Sequence, residues 1–128
     1  MKVKVSEVQD IALDWLVAKC NGVKVERLRT ADRVLNHLIY VSLTEAREAG
    51  DCQYRPRRSW AQGGPIIERE KIKISPNLGD SWSAQIHHKK GALVGWTSST
   101  GPTPLIAAMR CYVVSEMGEE VEIPEELL

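Results

Sequence analysis

The sequence predicts an α+β domain in which a small antiparallel sheet is flanked by an N-terminal and a C-terminal helix. Two patterns lead to this prediction. Apolar residues recur with helical spacing near both ends of the chain, and the segments between them alternate apolar and polar residues, as half-buried strands do. The chain has 128 residues and a hydrophobic fraction of 43%. These values predict one domain with a packed core, spanning residues 1–128.

The N-terminal segment is predicted to form a strand, a helix and a second strand. Residues 1–5 alternate apolar and polar side chains. Ser6 has a suitable side chain for a helix N-cap, and helical spacing follows it up to Gly22. A glycine there can adopt the left-handed conformation that ends many helices. Residues 23–28 alternate again and are predicted as a strand.

Residues 30–49 fit two predictions. Thr30 can cap a helix that ends at Gly50, with the acidic residues of the segment on its exposed face. Residues 38–43, "LIYVSL", are instead β-branched and aromatic enough to form a strand. We favour the central helix, which would give an α-β-α sandwich.

The stretch "WAQGGPIIERE", residues 60–70, follows a loop and is predicted to begin a helix at Pro65. Proline fits the first turn of a helix, where its missing N–H is not needed. Gly63 and Gly64 would provide a tight turn before it. Gly63-Gly64-Pro65 is the first of two Gly/Pro-rich junctions; the second is residues 101–104.

Three alternating segments predict an antiparallel meander at residues 71–75, 81–87 and 92–98, with a turn at 88–91. A helix should follow, capped by Thr103 and ended by Gly118. Its predicted inner face consists of Leu105, Ala108, Met109, Tyr112 and Val113.

Residues 119–128 form an acidic tail, in which Val121 and Ile123 can add a short edge strand. An uncovered sheet edge makes a homo-oligomer plausible.

Charge and composition exclude several classes of function. The chain has 17 basic and 17 acidic residues, so it lacks the net positive charge that binds duplex nucleic acid or anionic membranes. No signal peptide or long apolar run is present, which predicts a cytoplasmic protein. We expect reduced cysteines, with Cys20 and Cys111 as buried, inert thiols.

No catalytic or metal site is predicted from the sequence. His37 lies in an apolar pattern, and His87 and His88 would point to opposite faces of a strand, so they cannot readily share a metal. Ser98, Ser99 and Thr100 lack a sequence cue for an activating base. We therefore expect a protein that is not an enzyme and has no cofactor.

Three stretches together resemble the NinX-type family of small accessory proteins from tailed phages of enteric bacteria. They are "ALDWLVAKCNGV", "WAQGGPIIERE" with "ISPN" shortly after it, and "GPTPLIAAMRCYVVSEMGEEVEIPEEL". The resemblance implies phage origin, presence in the cytoplasm of the bacterial host during infection, and a dispensable helper role. It supplies no catalytic residues. Residues 26–58 do not share it, which predicts a variable, insert-like region.

The residues favour a binding protein for a phosphate-bearing small ligand, such as a nucleotide. Helix N-termini at the two Gly/Pro-rich junctions would attract an anion, arginines match phosphate oxygens, and tryptophans can stack on a base. Both junctions should then open onto one concave surface. The predicted ligand-binding residues are Arg55, Arg57, Arg58, Trp60, Gly63, Gly64, Trp96, Thr100, Gly101 and Thr103.

The alternative prediction is an inhibitor or adaptor that binds a host protein. It would use the acidic tail, residues 119–128, and the exposed face of the central helix. An acidic segment of this kind can occupy a basic surface on a partner.

Overall fold

The structure, a computed structural model, describes residues 1–29, 31–90 and 93–128. Over these residues the chain forms four α-helices and seven strands, which confirms the α+β prediction. The helices are α1 (Asp10–Asn21), α2 (Leu43–Ala49), α3 (Trp60–Glu70) and α4 (Pro104–Met117). The strands are β1 (Lys2–Lys4), β2 (Val25–Arg29), β3 (Val34–Tyr40), β4 (Lys73–Pro76), β5 (Trp82–Lys90), β6 (Leu93–Gly101) and β7 (Glu120–Glu122).

Within the described residues, the strands form three small antiparallel sheets rather than the single one predicted. β1 pairs with β7, β2 pairs with β3, and β4, β5 and β6 form the predicted meander in that order. The pairing of β1 with β7 confirms that the acidic tail adds a short strand, and both Val121 and Ile123 are buried.

The core forms around α4, which packs on one face of the β4–β5–β6 sheet and against α1. Ala84 and Ile86 point from β5 toward α4 and are buried. Thr103 caps α4 through its hydroxyl, and the helix ends before Gly118, as predicted. The five residues of the predicted inner face, Leu105, Ala108, Met109, Tyr112 and Val113, are all buried.

The predicted cap of α1 at Ser6 is wrong, because the helix begins at Asp10. Ser6 lies instead in a 3₁₀ turn, Val5–Glu7. Val5 and Val8 are both buried, and the Val8 N–H donates to the Val5 carbonyl at 3.1 Å. The tight turn buries both valines before the α-helix starts. The predicted helix end is confirmed, with Gly22 at a φ of 70°.

The central helix is wrong over its first half. Residues Val34–Tyr40 form strand β3, which pairs with β2 and buries Leu38. The β-branched composition therefore prevails once a partner strand is available, a condition that local sequence does not reveal. α2 occupies the second half and ends at Gly50 as predicted, but its cap is Ser42. Thr30 lies outside the described residues. The predicted α-β-α sandwich depended on one helix over the whole central segment, and β3 occupies the first part of that segment instead.

The predicted helix start at Pro65 is also wrong. α3 begins at Trp60, so Gly63, Gly64 and Pro65 all lie inside the helix. A Cβ atom on Gly63 would lie 2.6 Å from the Pro56 carbonyl oxygen and 2.7 Å from Leu105 Cδ2. The glycine is therefore required because α3 packs closely against its neighbours.

The turn predicted at residues 88–91 starts too early. β5 continues to Lys90, and Gly91 lies outside the described residues. β6 likewise extends beyond the predicted end, to Gly101. The nine-residue pairing of β5 with β6 explains both extensions, because each added residue gains a partner on the neighbouring strand.

Replacing Gly63 with alanine should lower the free energy of unfolding by about 1–3 kcal/mol, because the new methyl group meets a backbone carbonyl and a packed leucine. Urea denaturation monitored by tryptophan fluorescence measures the change. Gly64→Ala is the matched control, since a Cβ there meets nothing within 4 Å. Alanine at position 64 has a higher helix propensity than glycine but is crowded by Pro65, and the two effects oppose each other. We therefore expect the free energy of unfolding to change by no more than about 1 kcal/mol. Equal effects from both variants would contradict the packing role of Gly63.

Candidate functional site

Arg110 lies in the middle of α4 with only 8% of its surface exposed. Its Nη2 and Nε atoms donate to the Val8 carbonyl at 3.0 and 3.3 Å, and its Nη1 atom donates to the Thr100 carbonyl at 3.0 Å. These acceptors are neutral, and no carboxylate among the described residues forms an ion pair with it. Burial lowers the pKa of Arg110, yet a guanidinium remains protonated at neutral pH. The core therefore holds an uncompensated positive charge.

Arg110 lines a cavity of about 380 Å³ between the starts of α1 and α4, which we call the arginine groove. Arg57 also lines it, so the lining contains two guanidinium groups and one carboxylate, that of Asp10. The formal charge of the lining is therefore positive. Its residues are Ser6, Gln9, Asp10, Leu13, Arg57, Pro102, Ile106 and Arg110.

Arg57 is fixed by the buried carboxylate of Asp14. Its Nε atom donates to Asp14 Oδ2 at 2.8 Å, and its backbone N–H donates to Asp14 Oδ1 at 3.2 Å. Burial raises the pKa of Asp14 to about 7, and the charge and hydrogen bonds of Arg57 oppose that shift. Part of the binding capacity of Arg57 is thus used within the protein, while the residue still lines the arginine groove.

The other two predicted arginines are arranged differently. Arg55 forms an ion pair with Asp51 at 3.1 Å, and Arg58 is exposed. Together with Arg57 they line a depression of only about 10 Å³. This volume holds about one water molecule, so the three arginines do not form a nucleotide pocket by themselves.

The Gly/Pro-rich junctions are occupied largely by the protein's own atoms. A Cβ on Gly101 would lie 2.8 Å from the backbone nitrogen of Ala107, so this glycine, like Gly63, serves close packing. The open approach expected at these two glycines is absent. Thr103 uses its hydroxyl as the cap of α4. Pro102 nevertheless lines the arginine groove with Arg57, so the second junction and one predicted arginine share a concave surface.

A second cavity, of about 460 Å³, borders β6 and is lined by many hydroxyl groups. We call it the hydroxyl groove. Ser83 pairs with Thr100, and Gln85 pairs with Ser98, so these four side chains lie on one sheet face, opposite Ala84 and Ile86. The full lining is Lys4, Ser6, Ser83, Gln85, Ser98, Ser99, Thr100, Val114, Glu119 and Glu120.

The two predicted stacking residues, Trp60 and Trp96, are both more than half exposed. Trp96 stacks on His87, with ring centroids 4.5 Å apart. It lies on the same face as Thr100, four residues along β6, a distance of about 13 Å. Trp60 begins α3. Neither tryptophan lines the arginine groove or the hydroxyl groove.

Arg110, Asp14 and the position of Ser6 were not predicted from the sequence. Arg110 is the one charged residue in the apolar run "LIAAMRCYVV", and Asp14 interrupts "IALDWLV" in the same way. A charged residue inside an apolar helix is rarely buried without a partner. That signal, applied systematically, would have identified both residues.

Cys111 is buried as expected, whereas Cys20 is only partly buried. Burial raises the pKa of both Cys20 and Cys111 to about 11, so both thiols are protonated at neutral pH. No cluster of three or more metal-ligating side chains occurs in the described part of the chain. Within the same residues, no helix has the length and apolar character needed to cross a membrane.

Comparison with protein families identifies the chain. Residues 4–116 match the family model described as "Bacteriophage P22, NinX". The chain belongs to this NinX family of phage proteins. The matched span includes every residue that lines the arginine groove, and it also runs through residues 26–58. Comparison with curated proteins found no match.

The raised pKa of Asp14 predicts a pH-dependent stability. The folded-state value of about 7 lies above the unfolded value of about 3.9, so the folded state binds more protons between these limits. The stability of the wild type relative to Asp14→Asn should therefore fall by roughly 2–4 kcal/mol as pH rises from 4 to 8. Denaturant unfolding at several pH values measures this difference.

Asp51→Asn provides the control, because it removes a carboxylate that pairs with an arginine at a more exposed position. We expect it not to reproduce the pH dependence of Asp14→Asn. A difference between wild type and Asp14→Asn that stays constant from pH 4 to 8 would show that Asp14 remains ionised in the folded protein.

Proposed function

We propose that this NinX-family protein is a non-enzymatic phage accessory protein that binds a phosphate-bearing small ligand in the arginine groove. The observation that carries the proposal is Arg110, a buried guanidinium whose partners are carbonyl oxygens and which lines a cavity large enough for a ligand. We place its action in the cytoplasm of the infected host, where capture of a nucleotide signal would counter a host defence.

Electrostatics support an anionic ligand. An anion 4 Å from an uncompensated guanidinium gains about 4 kcal/mol at an effective dielectric constant of 20. Carbonyl oxygens accept hydrogen bonds from three of the five N–H groups of Arg110 and do not neutralise its charge. Phosphate is suited to this position, because its oxygens accept charge-assisted hydrogen bonds from guanidinium groups.

The size and the lining of the groove support a small organic phosphate. Its volume of about 380 Å³ lies in the range of small-molecule sites. Leu13, Pro102 and Ile106 provide apolar contacts beside the two arginines.

The lining also supports binding without turnover. Ser6 is its only hydroxyl nucleophile, and the Ser6 side chain has no hydrogen-bonded base among the described residues. Among the residues that the structure describes, the lining contains neither histidine nor cysteine.

Replacing Arg110 with methionine should weaken binding of inorganic pyrophosphate and of ATP by at least tenfold, because the groove loses its uncompensated charge. Isothermal titration calorimetry measures both affinities. Arg110→Lys retains a positive charge and should retain part of the affinity. Arg69→Met, which removes an arginine that pairs with Glu70, is the control for general loss of charge.

Two results would contradict the proposal. One is a wild-type protein that binds neither pyrophosphate nor ATP at low ionic strength. The other is an equal loss of affinity in Arg110→Met and Arg69→Met, provided that both variants retain the circular dichroism spectrum of the wild type.

A second candidate function is binding of a host protein, as an inhibitor or adaptor. α2 contains no buried residue; its first residue, Leu43, is 75% exposed, and Val41, two residues before it, is 52% exposed. Two large apolar side chains at one exposed site favour a protein contact. Acidic residues at positions 119–126 would complement a basic region on the same partner.

For this candidate, Leu43→Ser should abolish co-purification of a host protein from infected cells, because it removes the most exposed side chain of the apolar site. Affinity capture followed by mass spectrometry measures the effect. Arg110→Met is the matched control and should leave that capture unchanged. Capture that survives Leu43→Ser and is lost in Arg110→Met would assign the interaction to the arginine groove instead.

A further inference from the structure

The arginine groove and the hydroxyl groove are neighbours. Ser6 lines both of them. Arg110, in the arginine groove, donates from Nη1 to the carbonyl of Thr100, whose residue lines the hydroxyl groove. The two cavities therefore lie on either side of Ser6, in the 3₁₀ turn before α1.

The two grooves differ in charge. The arginine groove is lined by Arg57 and Arg110 with one carboxylate. The hydroxyl groove is lined by Glu119 and Glu120 with one ammonium group, that of Lys4. A ligand that lies across both should therefore carry its negative charge at one end only, and the other end should be neutral and polar.

The hydroxyl groove contains polar side chains that have no partner within the described residues. Three of them carry a hydroxyl, which both donates and accepts hydrogen bonds, and the fourth is an amide. Sugar hydroxyls have the same dual character, and the nearby carboxylates add strong acceptors. The unpartnered side chains are Ser6, Gln85, Ser98 and Thr100.

From these observations we propose that the ligand is a phosphorylated sugar, such as a nucleoside phosphate. Its phosphate lies against Arg110, and its sugar hydroxyls hydrogen-bond to the side chains of the hydroxyl groove. This inference rests on the proposed function, since it uses the arginine groove as the phosphate site. It adds that the sugar, and not the phosphate alone, determines affinity and orientation.

The test compares inorganic phosphate with ribose 5-phosphate by isothermal titration calorimetry on the full chain. We expect ribose 5-phosphate to bind at least tenfold more tightly. The double variant Ser98→Ala with Thr100→Val should lower the affinity for ribose 5-phosphate about tenfold and leave that for phosphate unchanged. Both side chains are exposed, so the fold should tolerate the changes. Thr44→Val, at an exposed site on α2, is the control.

The outcomes separate this inference from the proposed function. Equal affinities for the two probes, or a double variant that matches the wild type, overturn the sugar site while the phosphate site stands. Binding of phosphate that is lost in Arg110→Met supports the phosphate site alone. If neither probe binds the wild type, the sugar site is overturned, and the phosphate site also fails if pyrophosphate and ATP do not bind. Selective loss of ribose 5-phosphate binding in the double variant supports the sugar site.

Discussion

The buried guanidinium of Arg110 is the interaction on which the arrangement of the site depends. A charged group in the core is costly unless its hydrogen bonds are satisfied. Here the carbonyls of Val8 and Thr100 accept three of them, although these residues belong to segments far apart in the chain. The turn before α1 and the end of β6 are consequently held against the middle of α4. The two grooves share Ser6 in their linings, and this arrangement follows from the hydrogen bonds of Arg110.

A second constraint acts through glycines. Gly63 lets α3 approach the Pro56 carbonyl and Leu105, and Gly101 lets the end of β6 approach the first turn of α4. Both glycines suggested ligand access in the sequence, because a missing side chain leaves room for a guest as readily as for a neighbouring helix. Local sequence does not distinguish these uses. The structure shows that close packing of α3, α4 and β6 fills the space at both positions.

The elements that the sequence predicted well are those with an uninterrupted pattern and a clear end. α4 has a threonine cap, a proline in its first turn and a terminal glycine, and all three have the expected positions. β3 was predicted wrongly because its stability comes from pairing with β2, which is a tertiary contact. The start of α3 was also predicted wrongly. Pro65 was expected in the first turn of the helix, whereas α3 accommodates it in its interior. Arg57 and Thr100 were both predicted as ligand-binding residues, but they line two different grooves. The sequence could not show this, because the grooves form around Ser6 and Arg110, which only the fold brings together.

The pairing of β1 with β7 has a consequence for biosynthesis. Lys2 pairs with Glu122, and the N–H of Val5 donates to the carbonyl of Glu119. The ribosome makes β1 early and β7 more than 100 residues later. The β1–β7 sheet can therefore form only after β7 has left the exit tunnel, and the loop that this pairing closes spans most of the chain.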